Sequence, residues 1–164
     1  MTVPSLLPAP IYRERVWPAA WVLLALALVL PASLLVFLPI NPVVGIGTGV
    51  VLYAGLVVLL VIGSPTLEVT ERGFTAGRAT LPARHIGRAE GFTREDATRE
   101  RGTGLDARAW LLIRGWVDGV VRVEVADDRD PVPYWLVSTR RPAELVSALE
   151  RVRPSTARPR TPGR

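Results

Sequence analysis

The chain has 164 residues, no cysteine and 20 basic residues, every one of them arginine. This composition excludes a disulfide framework, a thiolate metal site, a thiol nucleophile, lysine Schiff-base chemistry and a P-loop lysine. The formal net charge of +5 belongs to the ends, because residues 68–152 hold 14 Arg against 14 Asp plus Glu, so net charge suggests no nucleic-acid-binding face.

Residues 1–15 read as a lead-in, irregular through Pro4, Pro8 and Pro10 and closing on Arg13, Glu14 and Arg15. From Val16 to Leu67 there are then 52 consecutive residues without a charge. A charge at a bilayer centre costs several kcal/mol, and one crossing needs roughly 20 apolar residues, so the run is long enough for two. Residues 16–63 are therefore expected to form a transmembrane hairpin, with spans at 17–38 and 43–62 and a turn at Pro39-Ile40-Asn41-Pro42. A cleaved signal peptide is disfavoured, because the first apolar stretch runs into a second instead of a polar mature start. Pro31 should kink the first span. Arg13 and Arg15 precede the hairpin, Arg72, Arg78, Arg84 and Arg88 follow it, and the turn is uncharged. Both termini should thus be cytoplasmic at the plasma membrane, with Trp17 and Trp21 in the aromatic belt.

The second span carries Gly45-Ile46-Gly47-Thr48-Gly49. A nucleotide loop would need a preceding strand and a soluble helix, and neither is present. Gly45 and Gly49 instead form a small-xxx-small pair for close helix packing, inside the hairpin or against another subunit.

Beyond Pro65 the pattern turns to two-residue alternation, and residues 64–152 are expected to form a cytosolic β-rich domain. Strands are expected at Thr66–Thr70, Phe74–Ala76, Ala79–Leu81, Ile86–Thr93, Ala109–Arg114, Val120–Val125 and Pro133–Ser138. Residues 94–106 suggest a loop with one helical turn. Pro142, Glu144 and the apolar positions Leu145, Val146, Leu149 and Val152 then predict a closing amphipathic helix. Residues 153–164, rich in Arg and Pro, predict a disordered basic tail suited either to solubility or to an anionic membrane surface.

About seven strands and a C-terminal helix is the order of a pleckstrin-homology-like antiparallel barrel or curled sheet, an analogy of strand order only. The fold class expected is thus a membrane helical hairpin plus a small α+β domain. Tyr12-Arg13-Glu14-Arg15, the hairpin, Leu81-Pro82 with Arg84-His85-Ile86-Gly87, Leu105-Asp106-Ala107-Arg108-Ala109 and Tyr134-Trp135-Leu136-Val137-Ser138-Thr139-Arg140-Arg141-Pro142 occur together in this chain. In these the chain resembles, over roughly residues 11–152, a family of small actinobacterial membrane proteins described only as a domain of unknown function. The resemblance implies a membrane location and supplies no catalytic residues.

Candidate chemistry is sparse. His85 is the only histidine, and with scattered carboxylates it makes neither a metal cluster nor a triad. Asp106, Arg108 and Arg114 suggest ion pairing near Trp110 and Trp116. Ser138, Thr139, Arg140 and Arg141, at a helix entry, are suited either to a phosphate or carboxylate, with an acidic lipid headgroup the nearest source, or to capping. No cofactor or metal is implied. The function expected is a non-enzymatic membrane-anchored module binding a protein partner or acidic lipid. The alternatives are an accessory subunit of a membrane complex, or a homo-oligomer, using Gly45 and Gly49, and an enzyme acting on a membrane-soluble substrate near His85, Asp106 and Arg108.

Overall fold

A computed structural model of the chain describes residues 9–127 and 129–154. They form two compact units, a helical one over residues 17–64 and a β-rich one built from the residues on either side of it. The expected basic tail, apart from Arg153 and Pro154, lies outside the described residues, as do Pro4 and Pro8.

The helical unit consists of α1 (Ala20–Ala27), α2 (Val29–Phe37) and α3 (Pro42–Ile62). Proline lacks an N–H, and its ring crowds the carbonyl four residues earlier. Pro31 therefore interrupts the ladder at Ala27, and the helix breaks at Leu28 before Ala32 N–H picks up the Leu28 carbonyl at 3.1 Å. At the start of α3 the Asn41 side-chain oxygen accepts from the N–H groups of Val43 (2.9 Å) and Val44 (3.4 Å), with Pro42 in the first turn. Gly45 and Gly49 face α2. A Cβ on Gly45 would lie 3.0 Å from Phe37 Cβ and 3.2 Å from Leu34 Cα, and one on Gly49 would lie 3.3 Å from Leu30 Cα. Ser33 uses the same closeness to donate to the Gly45 carbonyl at 3.0 Å. The small residues thus serve packing within the hairpin. Its outward side chains, among them Leu24, Leu28, Leu35, Val51 and Leu59, are exposed.

Among the described residues the β-rich unit contains eight strands, one more than the alternation suggests. The additional one is β1 (Tyr12–Arg15), in the segment expected as a lead-in. It pairs antiparallel with β2 (Thr66–Thr70), which pairs with β3 (Gly73–Ala76), which pairs with β4 (Ala79–Pro82). The turn between β2 and β3 needs Gly73: φ is +152°, and a Cβ there would sit 2.2 Å from the Leu81 carbonyl oxygen. The chain leaves this sheet through a 3₁₀ turn at Ala83–His85 and enters a second one.

The second sheet has the order β5 (Ile86–Phe92), β7 (Val120–Val125), β8 (Tyr134–Ser138), β6 (Trp110–Leu112). Two sheets of four strands thus stand where a single curled sheet or barrel was expected. Nor is the pairing wholly antiparallel, since β6 runs parallel to β8. Periodicity marks strands but not partners, and the 3₁₀ turn after Pro82 separates the two ladders. The charged segment after Thr93 is also more ordered than one helical turn, forming α4 (Arg94–Arg101).

One core joins the inner faces of both sheets: Leu67, Val69 and Phe74 from the first, Val121, Val123, Trp135 and Val137 from the second. Helix α5 (Pro142–Val152) closes it with Leu145, Ala148 and Leu149. On the other face of the second sheet Ala97 of α4 packs with Val120, Tyr134 and Leu136. Arg122 ties α4 to the sheet, pairing with Glu100 at 3.2 Å and Glu90 at 3.0 Å. Strand β8 is buried on both faces, which explains its unbroken Tyr-Trp-Leu-Val run.

A close helix contact tolerates little added volume, with overpacking costing about 1–3 kcal/mol. Gly45→Ile should therefore lower the melting temperature of the helical circular dichroism signal in detergent. Gly47→Ile, where an added Cβ meets nothing within 4 Å, should leave it unchanged. An equal response of the two variants would contradict this packing.

Candidate functional site

The expected anion site sits where β8 ends and α5 begins, and the chain supplies an anion of its own there. The β1–β2 register places Tyr12 and Glu14 on the buried face of the sheet while Arg13 and Arg15 point outward. Glu14, only 6% exposed, reaches the β8–α5 junction. Its Oε2 accepts from the Thr139 hydroxyl at 2.5 Å and the Tyr12 hydroxyl at 2.6 Å, and its Oε1 accepts from Arg140 N–H at 3.0 Å. A carboxylate buried in this way is tolerated because its oxygens are met by donors.

The four residues of the motif have separate tasks. Ser138 Oγ accepts from Arg114 N–H at 2.9 Å, holding the segment after β6. Thr139 Oγ1 donates to Glu14 and accepts from Arg141 N–H at 3.1 Å. Arg140 contributes its backbone N–H. The Arg141 guanidinium pairs with Glu144 at 3.1 Å and stands 5.4 Å from the Tyr12 ring centre. Burial, reinforced by the hydrogen bond to Glu14, pushes the Tyr12 hydroxyl well above its ordinary ionisation range. Glu14 was not among the sequence candidates. The signal for it is the two-residue spacing of Tyr12 and Glu14, masked by the two arginines that alternate with them.

Beside this junction lies a cleft of about 370 Å³ lined by Thr93, Arg94, Trp116, Asp118, Arg140 and Pro142, together with Val117 and Gly119. Gly119 allows the close approach, since a Cβ there would lie 2.6 Å from the Thr139 carbonyl oxygen and 2.7 Å from Pro142 Cγ. Arg101 pins the Val117–Asp118 backbone, donating to both carbonyls at 2.9 and 3.3 Å. Arg94 has a φ of +52°, the one non-glycine residue with positive φ among those described. Trp116 presents a buried indole N–H with no acceptor.

The remaining candidates are engaged elsewhere. His85 Nδ1 lies 2.8 Å from Asp127 Oδ2, and its Nε2 accepts from Arg84 Nε at 2.6 Å, which assigns the ring proton to Nδ1. Asp106 pairs with Arg108 at 3.0 Å, and those hydrogen bonds hold its carboxyl below the usual range and raise Arg108. His85 and Asp106 thus belong to different pairs. Among the described residues no three His, Asp or Glu side chains come together as a metal site would require.

Removing the Glu14 carboxylate strands three donors, at about 1–3 kcal/mol for each that stays buried. Glu14→Ala should accordingly cost about 3 kcal/mol or more in chemical unfolding, and Arg13→Ala, on the exposed face, far less; comparable losses would discount the cluster. Because folding raises the Tyr12 ionisation, the stability it brings is complete below the ordinary value of 10.0 and is lost as pH climbs above it. A tyrosinate absorbance titration should show one late-ionising group that disappears in Tyr12→Phe.

No curated protein and no solved structure matches the chain. A protein family does match, over residues 11–149, the span that begins just before β1 and ends inside α5. With the match covering most of its length, the chain belongs to the family described as "Protein of unknown function (DUF3093)".

Proposed function

We propose that this is an integral membrane protein whose helical hairpin crosses the plasma membrane twice and anchors the β-rich unit, a non-enzymatic binding module, on the cytoplasmic side. The observation that carries the reading is the uncovered apolar surface of the helices. Both Ala20–Phe37 and Pro42–Ile62 are long and apolar enough to cross a membrane, and only 6% and 11% of their most apolar windows are buried within the chain. A core helix of a water-soluble protein would be mostly covered. At about 1.5 Å per residue the two stretches also match a hydrocarbon layer about 30 Å thick.

Topology follows from the ladder at the base of the hairpin. Val16 N–H donates to the Pro65 carbonyl at 3.0 Å, so the chain leaves for the first helix and returns from the second at hydrogen-bonded neighbours. Two crossings and a common starting point support a reading with both soluble ends on one side. The arginines flanking the hairpin and the uncharged turn favour the cytoplasm for that side.

Binding is favoured over catalysis because the buried carboxylate is fully engaged by its own donors, and His85 is held between Asp127 and Arg84. The closing helix α5 over a two-sheet core is the feature in common with pleckstrin-homology-like modules. An accessory-subunit role would not use Gly45 and Gly49, whose face is taken up by α2.

The protein should stay in the membrane pellet after high-salt and alkaline-carbonate washes and be released by detergent. Reporter fusions at both termini should be active only as cytoplasmic reporters. Release by carbonate would overturn the anchoring, and an externally active terminus would overturn the orientation.

A further inference from the structure

We propose that the cleft bounded by Arg94, Trp116, Asp118 and Arg140 is a binding site for a hydroxylated phosphate ester of the glycerol phosphate class. The inference stands apart from the membrane reading, since the same chemistry can reach the cleft from solution or from a lipid headgroup.

Three independent features converge there. First, Trp116 lines the cleft, and its indole N–H is buried with no acceptor among the described residues. Buried donors are nearly always partnered, and one left without an acceptor costs about 1–3 kcal/mol, so a ligand whose entry turns the ring enough to meet that N–H would relieve it. Second, the Arg94 guanidinium makes no ion pair among the described residues, and its backbone is held at φ +52°. A long side chain in this left-handed conformation is disfavoured, and such outliers concentrate where a ligand is held. Third, Arg140, itself partnered within the chain, brings a second guanidinium to the same cleft. Its backbone N–H is fastened to Glu14, so the base of that side chain is fixed by a buried contact.

The charges select the ligand. Two guanidinium groups suit the several oxygens of a phosphoryl group, which accept from planar N–H forks. Asp118, the one carboxylate lining the cleft, offers an acceptor to a hydroxyl and disfavours a bare anion. Glu95 and Asp96 occupy the first turn of α4 without lining the cleft, so the helix terminus itself is not the anion receptor. A volume of about 370 Å³ is enough for a small phosphorylated polyol.

The test uses the full-length protein in detergent micelles, with the tryptophan indole nitrogens labelled for NMR and the Trp116 resonance assigned by Trp116→Phe. Titration with glycerol 3-phosphate should move that resonance to saturation. Arg94→Gly relieves the backbone at φ +52° while deleting the guanidinium, so it should keep or raise the melting temperature and weaken binding about tenfold. Nanodiscs then separate the sources. A Trp116 resonance already shifted in phosphatidylglycerol but not in phosphatidylcholine identifies a lipid headgroup; a soluble ester still required in both identifies a free ligand. No movement with either ester or phosphatidylglycerol overturns the site, as does a response undiminished in Arg94→Gly.

Discussion

The pairing of β1 with β2 is the constraint on which the β-rich unit depends. These strands are neighbours in the sheet but lie on opposite sides of the whole apolar hairpin in sequence. Closing a loop of that length costs on the order of 3 kcal/mol, and β1 offers only four residues, three of them charged. Propensity does not explain why it pairs. Tyr12 and Val16 add their side chains to the core, and Glu14 binds the segment between β8 and α5 through two hydrogen bonds, from Thr139 and Arg140.

Strand β8 is the second organising element. Its alternate residues serve different layers: Trp135 and Val137 fill the core between the sheets, with Trp135 4.2 Å from the Trp110 ring, while Tyr134 and Leu136 pack beneath α4. The polar groups that follow extend this arrangement. Ser138 fixes the backbone after β6, Thr139 meets Glu14, and the Thr139 N–H reaches the Gly119 carbonyl at 3.0 Å. The loop carrying Trp116 is therefore positioned by the same segment that receives the buried carboxylate.

That shared segment separates two kinds of anion chemistry. Hydroxyls and backbone N–H groups before α5 look, as chemistry alone, like a receptor for an external phosphate or carboxylate. In the folded chain the Thr139 hydroxyl and the Arg140 N–H are met by Glu14, and the others by backbone or side-chain partners within the chain, which converts a ligand motif into a structural clasp. The guanidinium of Arg140 does line the neighbouring cleft, where it stands with Arg94 and Trp116. Backbone and side chain of one residue thus serve different sites.

What the sequence determined by itself is everything carried by local pattern. An uncharged run of that length can only make apolar helices, Pro31 must interrupt one of them, and Asn41-Pro42 starts the next. Period-two alternation marked most strands, and the α5 stripe marked its buried face. What only the tertiary structure decided is partnership. A charged Tyr-Arg-Glu-Arg segment has no apolar stripe to announce a strand, and its pairing depends on residues far along the chain. The split into two sheets and the parallel β6–β8 pair rest on hydrogen bonds between strands distant in sequence, to which periodicity is blind. The direction in which the Thr139 hydroxyl and the Arg140 N–H face was settled by a carboxylate from the other end of the chain. The Arg94–Trp116 cleft has no sequence signature, because three loops meet there only once both sheets and α5 are packed.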